Sequence, residues 1–277
     1  MTLKKRLNAT GYYVISILIA VVSMFPFLWM ISTSLKSQGA IMSIPIQWIP
    51  QEPSGDAYVE VFTKFNFLRT VGNSLFISVS YTVITLLSSA MAAFAFAFAK
   101  VHFRGNDLLL KLYLATMMIP TQVTMIPLFV IMNKLGLINS FGSVILPSIF
   151  KPFAVFMLVQ QMRAIPEDYL DAARIDGAGI FQVFGKIALP MCLPTLSTLA
   201  VTTFMESWND YLWPLLMLTQ REKMTLPIAL ATLQGTYNPQ YNVLMAGSLV
   251  SMVPIILIYI MAQRNFKNGM MAGGIKG

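Results

Sequence analysis

The chain has 277 residues, 56% of them hydrophobic and only 11% charged, with a formal net charge of +8 and a mean hydropathy of +0.68. Soluble domains carry about 25% charged residues, so this composition excludes an ordinary soluble protein and points to a polytopic membrane protein. The basic excess does not imply nucleic acid, because Lys and Arg stand singly between apolar stretches rather than in a patch interleaved with aromatics.

Lys4, Lys5 and Arg6 precede an apolar run from about residue 11 to 31. The run is too long for a signal peptide and lacks a small-residue cleavage site, so it reads as a first membrane span. A bilayer core of about 30 Å needs about 20 helical residues. Six stretches satisfy this, near 11–33, 71–99, 108–132, 140–162, 190–217 and 243–263. The second would be about 43 Å long at 1.5 Å per residue and must tilt or project from the membrane. With the N-terminus placed inside, the basic residues divide two to one in favour of the inner loops, with Lys151 left within a span. The positive-inside rule then predicts both termini in the cytoplasm, and with them the segment 163–189.

In the third span, Pro120 and Pro127 bracket Thr121, Gln122 and Thr124. Two prolines kink a helix and free backbone carbonyls. Gln122 and the threonines either line a solute path or repair those carbonyls. Lys151 lies about eleven residues into the fourth span, roughly 16 Å from its outer end. A lysine there costs a few kcal/mol against lipid. It must face a water-filled cavity, a carboxylate or a partner subunit, unless it snorkels or pairs locally.

Between Pro166 and Pro190 a charged, amphipathic segment interrupts the apolar chain. Glu167, Asp168 and Asp171 put negative charge at the start of a predicted helix, Gly177 and Gly179 permit a turn, and a second short helix runs through Phe181, Phe184 and Ile187 before Pro190 restarts the chain in the membrane. The bland reading is an interfacial helix lying on the membrane. The spacing is more specific than that. Asp171-Ala172-Ala173, Gly177 after three residues, Ile187 after nine more, and then Leu189-Pro190 resemble the EAA motif of ABC-importer permeases, with Asp171 where that family has Glu. The string Ala172-Ala173-Arg174-Ile175-Asp176-Gly177-Ala178 is similar to the carbohydrate branch of that family, on the maltose-permease pattern. So are the segment 117–127 and Leu135-Gly136-Leu137.

In the fifth span, Trp208, Tyr211 and Trp213 suit the outer aromatic belt. Glu206 and Asp210, four apart, would share one helix face and raise an alternative, a proton-coupled secondary transporter. Residues 208–215, which include Asn209 and Asp210, also resemble the family's fifth-helix string, which favours a structural or path-lining role. The outer loop 219–242 resembles the family's long loop that reaches a substrate-binding protein, and its tip holds Gln234, Gly235, Thr236 and Tyr237. Within the predicted cytoplasmic tail 264–277, the glycine-rich end 269–277 resembles that of sugar permeases. No Walker A sequence occurs, and with a single histidine, His102, no metal site or Ser/His/Asp set can be built.

The resemblance implies an all-α, six-span importer permease of type I fold, a single transmembrane domain over 1–277 with its core at about 71–263, residing in the cytoplasmic (inner) membrane. It also implies partners: a homologous second permease, two ATP-binding subunits and an extracytoplasmic sugar-binding protein. The chain itself would be no enzyme and would hold no cofactor. The coupling residues would be Asp171, Ala172, Ala173, Asp176, Gly177, Ile187 and Pro190. The candidate solute path comprises Gln122, Lys151, Asn209 and Asp210.

Overall fold

In the computed structural model, the described residues are 3–64, 66–98, 105–234 and 240–273, with backbone alone at 3–10, 64, 174 and 262–273. Among them the regular structure is helical. In chain order the α-helices are α1 (Leu3–Ser34), α2 (Gln38–Ile41), α3 (Asp56–Lys64), α4 (Phe67–Ala97), α5 (Asn106–Ala115), α6 (Thr121–Lys134), α7 (Phe141–Ile145), α8 (Pro152–Arg163), α9 (Glu167–Ile175), α10 (Ile180–Val183), α11 (Leu189–Met191), α12 (Leu193–Asn209), α13 (Leu212–Met217), α14 (Leu226–Leu233) and α15 (Tyr241–Gly273).

Among the described residues, four helical stretches are long and apolar enough to cross a membrane: Gly11–Ser34, Phe67–Ala97, Phe141–Arg163 and Tyr241–Met261. Two bent pairs bring the number to as many as six: Asn106–Met118 with Thr121–Lys134 at 103°, and Ile180–Met191 with Leu193–Asn209 at 76°. The third expected span is therefore not one kinked helix but two helices at a sharp angle. Pro120 cannot donate to the helical ladder and pushes Ile119 to extended backbone (φ −86°, ψ 119°).

The chain divides into two compact units, residues 1–68 with 229–253 and residues 69–228 with 254–277. In the first, Ala57, Val61, Phe67, Leu233, Val243 and Ala246 are buried. Gly247 of α15 is approached so closely that an added Cβ would lie 2.8 Å from Leu230 Cδ2 and 3.6 Å from the Phe67 ring. Between Ser34 and α3 the chain is tied by side chains: Lys36 donates to the Gln47 carbonyl, Ser32 Oγ donates to the Trp48 carbonyl at 2.6 Å, and Trp48 packs edge-on to Trp29.

In the second unit, α4 contributes a stripe of small polar residues, Ser74, Ser78, Thr82, Thr85 and Ser89, all buried. Their spacing of three and four puts them on one face, where small side chains let helices approach closely. Thr85 Oγ1 donates to the Ser148 carbonyl at 3.1 Å, joining α4 to the turn after α7. At the end of α4, Phe94 and Phe96, with Phe98 just beyond it, are buried with Leu158, Met162, Leu170, Ala173, Val183, Ala188 and Cys192 in one apolar cluster, so the three phenylalanines pack on neighbouring helices rather than on lipid. A second apolar cluster gathers Ile77, Met132, Val144, Ile145, Met217 and Leu218.

Candidate functional site

The segment predicted to couple to another subunit is a short helical peg with two different faces. Glu167 and Asp168 occupy the first turn of α9, where negative charge complements the helix dipole. Leu170 and Ala173, three apart, are buried in the cluster with Phe94 and Met162. Gly177 follows with φ +76°, a left-handed conformation that glycine alone adopts without strain. It lets the Ala178 N–H reach back to the Ala173 carbonyl at 2.9 Å, closing the helix end in the Schellman manner. After the turn, Gln182 Oε1 accepts from the Gly179 N–H at 3.0 Å and so starts α10. The Phe184 ring stands edge-on to Phe94, with centroids 5.2 Å apart.

The peg's outer face is apolar and unburied: Ile175 is 87% exposed and Phe181 83%, with Tyr169 and Ile180 about half exposed. Asp171, Ala172, Asp176 and Gly177 are exposed beside them. The two alanines divide, since Ala172 faces outward while Ala173 is buried, so only Ala172 leaves room for an approaching surface. Ile187 is half-buried against the apolar cluster.

Pro190 does not restart the membrane helix as expected. It sits inside a continuous helical run, and the 76° break falls at Cys192 instead. A π-turn over Phe184–Ala188 precedes it and lengthens the local hydrogen-bond register, which accommodates the donor proline lacks. Pro194, in the first turn of α12, holds the position where proline costs nothing.

The base of the peg is fastened to neighbouring helix ends. Arg163 Nη2 and Asn106 Nδ2 each donate to the Phe96 carbonyl at 3.3 Å, satisfying an otherwise orphan acceptor at the end of α4. Arg163 Nη2 also lies 3.5 Å from Asp107 Oδ1.

The second polar centre surrounds Lys151. The expected fourth span is interrupted at that residue: α7 passes into a 3-10 turn over Leu146–Ile149, Phe150 is extended (φ −102°, ψ 91°), and Lys151 (φ −129°, ψ 83°) precedes α8. Pro147 and Pro152 flank the break. Lys151 Nζ is ion-paired with Glu206 Oε1 and lies 3.5 Å from Tyr81 Oη. The pairing with Glu206 was not anticipated from sequence, although a nearby carboxylate was among the options for Lys151. Asp210, within electrostatic reach of Glu206 and Lys151, is not on the Glu206 helix face. α12 ends at Asn209, and Asp210 is extended (ψ 122°), accepting from the Trp213 N–H at 3.4 Å. Asn209 Nδ2 donates to its own helix at the Met205 carbonyl, 2.8 Å away.

Gln122 is not brought to Lys151 by any hydrogen bond; it meets its neighbour Thr121 at 3.4 Å, and Thr124 Oγ1 repairs the Thr121 carbonyl at 2.9 Å. Trp208 is no belt residue within this chain. It is 2% exposed and stacked on Phe204, because it lies on the inward face of α12. Trp213 donates its Nε1 to the Ser143 carbonyl at 3.1 Å. Gly235, Thr236 and Tyr237 and the last residues of the tail, 274–277, lie outside the described residues; Gln234 is exposed.

A third polar knot was not read from the sequence. Asn139, at φ +60°, accepts on Oδ1 from the Thr219 N–H (2.7 Å), the Thr219 hydroxyl (2.8 Å) and the Gln220 N–H (3.2 Å), while Lys223 donates to its carbonyl. Asn73 Nδ2 bridges the carbonyls of Glu222 and Met224 at 2.9 and 3.0 Å. The available signal was the Asn that follows Leu137 and Ile138, since Asn tolerates left-handed backbone.

The family profile described as "Binding-protein-dependent transport system inner membrane component" matches residues 86–271. The chain belongs to that family. The matched segment contains the π-turned peg, the Lys151–Glu206 pair and most of α15. Among permeases of known assignment, the chain is 39% identical over 262 residues to the arabinooligosaccharides transport system permease protein AraQ of Halalkalibacterium halodurans, covering 94% of this chain and 93% of that one. It is 31% identical over 275 residues to the lactose transport system permease protein LacG of Rhizobium radiobacter, covering 99% of each. Its fold matches a chain of a bacterial ABC transporter involved in the import of the acidic polysaccharide alginate, with a TM-score of 0.85 at 23% identity over 96% of this chain and 99% of that one. The permease is thus an all-α, multi-pass inner-membrane protein of binding-protein-dependent transport.

Proposed function

We propose that this permease is the membrane subunit of an ATP-driven importer of saccharides, paired with a homologous permease and seated on two ATP-binding subunits. An extracytoplasmic sugar-binding protein delivers the solute, contacting the outer loop at Gln234, Gly235, Thr236 and Tyr237. Both termini are cytoplasmic, as is the peg, and residues 1–277 act as one transmembrane domain. The observation that carries the reading is the two-faced peg. Leu170, Ala173, Val183 and Ala188 anchor one side into the apolar cluster, while Ile175 and Phe181 stand exposed on the other beside Asp171 and Ala172. Exposed apolar side chains on a short rigid element mark a docking surface. Because the inner face is packed, a push on the outer face moves α4 and α8 rather than bending the peg.

In the reconstituted importer, Asp171→Lys and Gly177→Pro abolish substrate-stimulated ATP hydrolysis and uptake, while membrane insertion stays normal. Unchanged uptake in both would remove the peg from the mechanism. The proton-coupled alternative has nothing to favour it: the Glu206 carboxylate is paired with Lys151, and uptake is expected to persist when the proton gradient is collapsed.

A further inference from the structure

We propose that the Lys151–Glu206–Tyr81–Asp210 centre is a saccharide contact that selects uncharged, hydroxyl-rich solutes and turns away acidic ones. This rests on the reading of the chain as a saccharide importer and names the solute class of its path. Two interrupted helices meet at the centre, one broken at Phe150 and Lys151, the other ending at Asn209 and Asp210. Non-helical backbone within a membrane span is tolerated where it lines a water-filled cavity or is buried in protein, and discontinuous helices near the midplane are where transporters place solute sites.

The exposure of the pair decides its sign. The Lys151 side chain is 21% exposed and its ammonium is taken up by Glu206 and Tyr81, whereas the Glu206 side chain is 56% exposed. The face offered to a solute is therefore the carboxylate, whose remaining lone pairs accept from sugar hydroxyls in charge-assisted hydrogen bonds. With Asp210 alongside, one cation stands against two anions, a net charge of about −1 that repels a uronate. An exposed carboxylate paired with Lys151, near the middle of its own span, is unfavourable against lipid, and a water-filled saccharide path accommodates it.

The test uses the complete importer in lipid nanodiscs, with tryptophan fluorescence reporting binding of arabinotriose, maltotriose, lactose and trigalacturonate. The wild type is expected to bind at least one neutral saccharide at least tenfold more tightly than trigalacturonate. Glu206→Gln, which uncovers Lys151, narrows that ratio about tenfold. The exchanged pair Lys151→Glu with Glu206→Lys keeps the ion pair and the net charge but offers the ammonium to the solute, and is expected to lose the preference as Glu206→Gln does. Equal or tighter trigalacturonate binding by the wild type, a ratio unmoved by Glu206→Gln, or no saccharide binding at all would each overturn the proposal. So would loss of the assembled complex in both variants, which would assign the pair to a subunit interface. If ATP-driven saccharide uptake persists under any of these results, only the selectivity centre fails; if the wild type shows no such uptake, the importer reading fails first.

Discussion

Gly177 and Asn139 do the same backbone work by different means. Gly177, at φ +76°, has open space around its missing Cβ, so a substitution there meets no clash and its cost is purely conformational, on the order of 1–2 kcal/mol for a residue with a Cβ. Gly177→Asn is therefore expected to be milder than Gly177→Ala, and Gly177→Val the worst, in both thermal unfolding and ATPase coupling; equal behaviour of Val and Gly would contradict the strained turn. Asn139 is also left-handed, at φ +60°, but its side chain supplies three accepted hydrogen bonds. Asn139→Ala should destabilise the purified protein by about 1–2 kcal/mol, since three accepted hydrogen bonds from exposed groups are lost to water and alanine is disfavoured in left-handed backbone. Asn139→Asp keeps the acceptor and the backbone preference, so it should retain most of that stability. A glycine inside a recognisable motif was legible from sequence; a single asparagine whose partners lie 80 residues away was not, because hydrogen-bond partners are fixed by packing and not by local pattern.

At the level of elements, the peg depends on how α9 through α11 seat against α4 and α8. Ala188 is fully buried, and Val183 and Leu170 nearly so. Ala188→Leu adds volume to a filled site and is expected to destabilise by about 1–3 kcal/mol, lifting the peg from its bed. Substrate-stimulated ATP hydrolysis should fall more than basal hydrolysis; a fall in neither would show that the peg's seating does not matter for coupling. Leu158→Ala, on α8 and also fully buried, should cost about 3 kcal/mol through the cavity it leaves, as read by thermal unfolding in detergent. The amphipathic order of α9 was visible in the sequence, as was the turn at Gly177. The π-turn over Phe184–Ala188 was not, nor the bend at Cys192 in place of Pro190. A proline signals a break somewhere near, but the hydrogen-bond register around it decides where the chain turns.

For the whole molecule, the testable statement is orientation. In a Cys192→Ser background, a membrane-impermeant maleimide applied to intact cells should label Glu222→Cys, and should label Ile175→Cys only after permeabilisation. The reverse pattern would place the peg outside and detach it from any cytoplasmic ATPase. The apolar surface of α1, with its candidate span 0% buried within this chain, is consistent with a helix that faces lipid or another subunit.

Composition and apolar run length alone determined that this chain is helical and membrane-embedded, because a bilayer admits few backbone solutions and those require long apolar stretches. The peg's motif and the asymmetry of basic residues were equally local and equally legible. Tertiary structure alone decided that two of the expected spans are sharply bent, that a third is interrupted at Lys151, and that Glu206 is the carboxylate that lysine meets. Those outcomes depend on which distant side chain can satisfy a buried charge or a freed carbonyl, and that is settled only when the helices pack.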